Sequence, residues 1–129
     1  MNKTMLIGRL TNAPDISKTT NNKSYVRVTL AVNRRFKNEK GEREADFISI
    51  ILWGKSAETL VSYAKKGSLI SVEGEIRTRN YTDKNEQKHC ITEILGLSYD
   101  LLESRATLAL RESAVNFEEL LLEADELPF

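Results

Sequence analysis

The chain has 129 residues, with 19 Lys and Arg against 19 Asp and Glu, and its composition of 40% apolar and 29% charged residues suits one globular domain with an extension. No apolar run approaches the roughly 18 residues that span a bilayer, and Arg9 interrupts the N-terminal run before a signal sequence can form, so a cytoplasmic protein is predicted. With one cysteine and one histidine, an intrachain disulfide and a structural zinc site are excluded, and we expect no metal and no cofactor.

Three strands are predicted in the first half of the chain. The first is the apolar run Thr4–Leu10, followed by a loop marked by Pro14 and the polar cluster at 19–22. The second is Tyr25–Asn33, whose period of two places one apolar side toward the core, made of Val26, Val28, Leu30 and Val32. The third is Asp46–Trp53, which follows a charged loop and also alternates, with Ile48, Ile50 and Leu52 on its core side.

A helix and two more strands complete the predicted domain. Apolar residues recur at helical spacing within 54–64, and Gly67 follows as a helix stop. Strands are predicted at Leu69–Tyr81 and Lys88–Tyr99, joined by a polar hairpin turn, and Cys90 is expected to be buried or half-buried there. The order β-β-β-α-β-β is that of the OB-fold, an all-β, five-stranded Greek-key barrel with one helix between strands 3 and 4. We predict that it occupies residues 1–102.

The last 27 residues differ from this domain in pattern and in charge. Residues 103–129 show no strand alternation, and they contain seven acids and two bases, a net charge of −5. The first 102 residues therefore hold the other 17 Lys and Arg against 12 Asp and Glu, a net charge of +5. A basic body attracts polyanions such as nucleic acid. We expect a mostly mobile acidic tail whose tip can dock into a basic, apolar pocket on another protein; the tip is Asp125, Glu126, Leu127, Pro128 and Phe129.

Aromatic and basic residues occur together in three of the predicted elements. Proteins bind single-stranded nucleic acid by stacking aromatic rings on bases within a basic groove. The elements are the loop with Arg34 and Phe36, the third strand with its continuation, and the fourth strand; the candidates there are Phe47, Trp53, Lys55, Arg77, Arg79 and Tyr81. Taken singly, an aromatic residue such as Phe47 is more often part of a core, and a basic residue is most often a solvated charge. Glu73 and Glu75 share a face with Arg77 and limit the groove along that strand.

Enzymatic function is not supported by the sequence. A nuclease needs clustered carboxylates, but Glu42, Glu44 and Asp46 lie among Lys and Arg in a loop. The single histidine, His89, has no evident acid partner, and no phosphate-binding glycine loop is present. We therefore expect a binding protein and not an enzyme. The alternatives are an OB-fold adaptor for RNA or oligosaccharide, and a protein-interaction module whose basic face meets acidic proteins.

The first 102 residues resemble the bacterial single-stranded DNA-binding protein family almost continuously, and the combination of motifs is highly specific. The motifs that carry the resemblance are Ile7-Gly8-Arg9-Leu10, Ala13-Pro14-Asp15, Leu30-Ala31-Val32-Asn33-Arg34, Gly41-Glu42-Arg43-Glu44-Ala45-Asp46-Phe47, Trp53-Gly54-Lys55, Lys65-Lys66-Gly67-Ser68, Glu73-Gly74, Arg77-Thr78-Arg79-Asn80-Tyr81 and Thr92-Glu93. The last five residues resemble the family's acidic tip, which ends in Pro-Phe.

This resemblance implies an OB-fold homotetramer that wraps and protects single-stranded DNA without sequence preference. It places stacking aromatics at Phe36, Phe47, Trp53 and Tyr81, and phosphate-contacting cations at Arg34, Lys55, Arg77 and Arg79. It also implies that the tip recruits DNA replication, repair and recombination proteins, and that the protein is associated with the nucleoid. The chain departs from many relatives in its short acidic run and its short, Leu- and Glu-rich connector. These departures favour a short paralogue serving recombination or DNA uptake.

Overall fold

The computed structural model describes residues 1–103, which contain six strands and one helix. Their bounds are β1 Thr4–Leu10, β2 Ser17–Lys18, β3 Ser24–Asn33, β4 Ala45–Trp53, α1 Lys55–Tyr63, β5 Leu69–Thr82 and β6 Lys88–Leu101. The prediction made for the tip at 125–129 lies outside these described residues, as does the predicted mobile tail at 103–129 apart from Glu103. The five long strands and the helix agree with the predicted elements to within a few residues, because period-two and helical spacing are local properties of the sequence.

The strands form one closed barrel. Their order is β1-β5-β6-β4-β3-β2, and an additional pairing of β1 with β3 closes the barrel. All the pairings are antiparallel apart from the one between β4 and β6, which is parallel. The predicted OB-fold barrel, with α1 between its third and fourth long strands, is confirmed. The two-residue strand β2, which pairs with β3, lies in the segment predicted as a loop.

The core lies inside the barrel and beneath the helix. It is lined by alternate strand residues, among them Val26, Leu30, Ile50 and Leu52, which the strand pattern assigned to it, and Ile70 of β5; all five are fully buried. Two turns of α1 close one end of the barrel with Ala57 and Leu60, which are also fully buried. The opposite sides of β3 and β4 are thereby left facing outward.

The barrel closes through a close approach of β1 to β3. Arg9 pairs with Leu69 on β5 and with Ala31 on β3, so β1 passes from one neighbour to the other at this point. A Cβ atom built at Gly8 would overlap the carbonyl oxygen of Ala31. Only glycine therefore allows the two backbones to lie this close.

The β5–β6 hairpin extends beyond the core. Its turn is stabilised by Asp83 Oδ1, which accepts hydrogen bonds from the backbone N–H groups of Asn85 and Gln87 at 2.9 Å each. All β5 residues from Ile76 to Thr82 are exposed, whereas the earlier half of the strand packs on the core. The expectation that Cys90 is buried or half-buried is wrong: Cys90 is exposed, because it lies on the projecting part of the hairpin.

Candidate nucleic-acid interface

Strand register brings most of the candidate residues to one side of the barrel. Tyr25 on β3 pairs directly with Trp53 on β4, and Tyr81 on β5 pairs with His89 on β6. Directly opposed residues of paired strands project to the same side of a sheet. The parallel pairing of β4 with β6 joins these two pairs of strands into one surface. We call this surface the outer face; its members include Tyr25, Arg27, Phe47, Trp53, Arg77, Arg79, Tyr81, His89 and Glu93.

The four aromatic side chains predicted to stack on bases are all exposed. The exposed fractions are 78% for Phe36, 69% for Phe47, 41% for Trp53 and 45% for Tyr81. Phe47 and Trp53 lie on the side of β4 opposite the buried Ile50 and Leu52, so the core is filled without them. Their rings are available to a ligand.

Two of these rings are braced by a second ring. Trp53 contacts Tyr25, with ring centroids 5.2 Å apart and planes inclined at 42°. Tyr81 stacks on His89, with centroids 4.9 Å apart and planes inclined at 21°. Such ring pairs are favourable beyond the area that they bury. Each pair therefore holds a partly exposed ring in a defined orientation before any ligand arrives.

Arg34 and Phe36 lie apart from the outer face, in the loop between β3 and β4. The Arg34 guanidinium bonds both Asp46, at 2.9 Å, and Glu44, at 2.8 Å. The hydrogen bond from Arg34 holds the pKa of the Asp46 carboxyl below its usual value, and the same contact raises the pKa of Arg34. A phosphate bound at Arg34 would compete with these two carboxylates.

The cations of β5 are also paired with acids. Arg77 bonds Glu75 at 2.8 Å, and Arg79 lies 3.3 Å from Glu93. Lys3 pairs with Glu73 at 2.8 Å. Glu73 and Glu75 thus each pair with a basic side chain, and the expectation that they limit the basic groove along β5 stays a prediction.

Lys55 occupies a different position from the other candidates. It is the first residue of α1, immediately after Trp53 and Gly54, and it is exposed. Its side chain lines a shallow surface depression together with Thr59 and Tyr99. Sequence proximity to Trp53 thus places Lys55 at the end of the barrel beside the outer face.

Four residues of the outer face were missed as site candidates: Tyr25, Arg27, His89 and Glu93. Alternation in β3 does place Tyr25 and Arg27 on the outward side, and hairpin register could have matched His89 to Tyr81. Glu93 gives no such signal, because its contacts with Arg27 cross from β6 to β3 over the intervening β4.

His89 has an acid partner, contrary to expectation. Its Nε2 lies 2.7 Å from Asp83 Oδ2, and this hydrogen bond is the main cause of the lowered pKa of Asp83. The hairpin turn folds Asp83 back over β6, which the sequence did not reveal.

Among residues 1–103, no cluster of three or more His, Cys, Asp or Glu side chains could hold a metal ion. Within the same residues, no helix is long and apolar enough to cross a bilayer.

Comparisons with known proteins agree with this geometry. Residues 1–102 match the model of the single-strand binding protein family. The chain is 58% identical to single-stranded DNA-binding protein 1 of Streptococcus pyogenes serotype M6, over 99% of this chain and 98% of that protein. It is 46% identical to the single-stranded DNA-binding protein of Streptococcus mutans over 83% of this chain, a match that spans 65% of the longer relative.

A solved structure shows the same fold. It is the crystal structure of a deletion mutant of the single-stranded DNA binding protein from Thermus aquaticus. The TM-score is 0.67 at 29% sequence identity, and the alignment covers 83% of this chain and 53% of that one. The barrel and its helix are therefore shared with the Thermus aquaticus protein.

Proposed function

Since the chain belongs to the single-strand binding protein family, we propose that it binds and protects single-stranded DNA without sequence preference. The observation that carries the proposal is the set of exposed aromatic rings beside cations on and around the outer face. The stacking residues would be Phe36, Phe47, Trp53 and Tyr81, and the phosphate contacts Arg34, Lys55, Arg77 and Arg79. No step of this function requires catalysis.

The chemistry of such a surface accounts for binding without sequence readout. Every base has a flat face, and stacking on an aromatic ring contributes about 1–3 kcal/mol per base whichever base it is. Phosphates follow the strand at regular intervals and are neutralised by Lys and Arg with release of counterions. Arg34 and Arg77 would give up carboxylate partners near the surface for phosphates, at little energetic cost because ion pairs near the surface contribute only about 0–1 kcal/mol.

We propose that residues 1–102 are the DNA-binding domain and that 103–129 recruit other proteins. The tip would bind DNA replication, repair and recombination proteins through Asp125, Glu126 and the terminal Phe129. The net charges of −5 and +5 on the two parts also favour competition between tail and DNA. Removing residues 120–129 should raise DNA affinity at low salt and abolish partner binding. Unchanged behaviour in both assays would contradict this role.

The functional unit that we propose is a homotetramer. Met5 and Ile7 project from β1 as exposed apolar side chains beside a surface depression that Tyr99 also lines. Exposed apolar patches of this kind are typical of interaction sites. Native mass spectrometry should give four times the mass of 14.7 kDa for the intact chain, and Ile7→Asp should reduce that mass. A monomeric wild-type chain would contradict this assembly.

The DNA-binding proposal is tested with the single tryptophan of the chain. Trp53 fluorescence is followed during titration with oligo-dT, with oligo-U and with an oligosaccharide, each at several salt concentrations. We expect strong quenching by oligo-dT and an affinity that falls as salt rises. Preference for oligo-U would instead favour the RNA adaptor, and no quenching by any nucleic acid would favour a protein-interaction module.

Fluorescence microscopy should place a tagged chain in the cytoplasm, over the nucleoid.

A further inference from the structure

One acid lies almost buried in the middle of the outer face. Glu93 is 7% exposed and lies between two arginines from different strands. Its Oε2 lies 3.5 Å from Arg27 Nε on β3, and its Oε1 lies 3.3 Å from Arg79 Nε on β5. The three side chains lie on β3, β6 and β5, and the contact between Arg27 and Glu93 crosses the intervening β4.

Glu93 contacts both arginines at Nε and leaves their terminal guanidinium nitrogens without a bond to it. In each pair the carboxylate oxygen lies near Nε, the nitrogen closest to the side-chain stem. Both arginine side chains remain exposed to nearly half of their area. The terminal nitrogens can therefore donate to a further acceptor while Nε stays on Glu93, since a guanidinium has five N–H donors.

Arg27 also contacts an aromatic ring of the outer face. Its guanidinium carbon lies 5.6 Å from the centre of the Tyr25 ring, a cation–π distance. Tyr25 in turn contacts Trp53. The direct strand partner of Arg27 is Ile51, which is 5% exposed although it faces outward. The contacts with Glu93 and Tyr25 therefore restrict the orientations open to the Arg27 side chain.

We propose that Arg27 and Arg79 form a site for one backbone phosphate of a single strand, and that Glu93 is the residue that positions both. The site, which we call the arginine clamp, consists of Arg27, Arg79 and Glu93. An acid in a face that binds a polyanion opposes binding by simple charge repulsion. Glu93 offsets that repulsion by holding two long, entropically costly side chains in place, and the clamp lies between the rings of Trp53 and Tyr81. This inference rests on the proposed binding of single-stranded DNA.

The test is whether Glu93→Gln binds oligo-dT more tightly or more weakly than the wild-type chain does. Glu93→Gln removes a negative charge from the face, so repulsion alone predicts tighter binding of oligo-dT. Loss of positioning predicts weaker binding, by roughly two- to fivefold for one lost ion-pair arrangement. The matched control is Glu75→Gln, the same substitution on the same face next to Arg77, where release of a cation should leave binding equal or tighter. Glu93→Gln binding more tightly than wild type overturns the clamp.

A second variant decides the phosphate contact and does not depend on Glu93. Arg27→Ala alters an exposed side chain, and loss of one phosphate contact should reduce the slope of log affinity against log salt by about 0.7. An unchanged slope overturns the assignment of Arg27. Combining Arg27→Ala with Glu93→Gln should cost less than the sum of the two single effects, since both act through one site. If oligo-dT does not quench the Trp53 fluorescence of the wild-type chain, the proposed function itself is refuted. If the wild-type chain binds oligo-dT but Glu93→Gln binds it more tightly, only the clamp is refuted.

Discussion

Phe47 allows base stacking to be tested separately from folding. Its side chain is 69% exposed and its direct strand partner is the small Ala31, so the ring contributes little to the packed barrel. We expect Phe47→Ala to change the free energy of unfolding by no more than about 0.5 kcal/mol, as is usual for surface substitutions. Loss of one stacked base costs about 1–3 kcal/mol of binding, which corresponds to a fall in affinity of about 5- to 150-fold.

The assay uses Trp53, which Phe47→Ala leaves in place. Affinity for oligo-dT is obtained from fluorescence quenching at a fixed salt concentration, and unfolding is followed in urea. Phe47→Tyr keeps an aromatic ring and should bind nearly as tightly as wild type. Phe47→Leu keeps an apolar side chain without the ring, so it separates stacking from simple apolar contact. Wild-type affinity in Phe47→Leu would show that no base stacks at this position.

Three further predictions concern stability. Gly8→Ala should lower the free energy of unfolding by about 1–3 kcal/mol in urea titrations, because its methyl group meets the Ala31 carbonyl; an unaltered midpoint would contradict this. Leu60→Ala should cost about 2–5 kcal/mol, because it leaves a cavity under the helix, and a loss below 1 kcal/mol, by the same measurement, would argue against a tightly packed site. The lowered pKa of Asp83 contributes stability that is present above its ordinary value of 3.8 and is lost as pH falls further. The free energy of unfolding of Asp83→Asn should therefore fall less steeply than that of wild type as the pH is lowered through this range. Parallel curves would show that the folded state does not stabilise the Asp83 carboxylate.

The barrel was predictable because its pattern is local. In β3, apolar and polar residues alternate with period two, and burial follows that alternation from Val26 to Leu30. In β4 the core-side residues Ile50 and Leu52 are buried as predicted, but the outward Ile51 is buried as well. The same parity predicted which aromatic rings leave the core. The strand β2 was not predictable, since two residues carry no periodicity, and its pairing depends on a neighbour that the fold supplies.

The candidate site was predictable only in part. The exposure of Phe36, Phe47, Trp53 and Tyr81 agrees with the interface hypothesis, although their contact with DNA remains a prediction. The position of Cys90 was predicted wrongly, because strand pattern does not show where a hairpin leaves the core. His89 was assigned no acid partner, because the turn that returns Asp83 to it is a three-dimensional feature.

The sequence by itself determined the class of this protein: a basic, alternating β domain with aromatic residues left over from its core, joined to an acidic tail. These properties depend on composition and on neighbours within a few residues. Only the tertiary structure decided which cations face an acid and which rings brace one another. Glu93 illustrates the reason, because its partners Arg27 on β3 and Arg79 on β5 share its surface only through the parallel pairing of β4 with β6. Contacts between strands depend on register and topology, which no local pattern encodes.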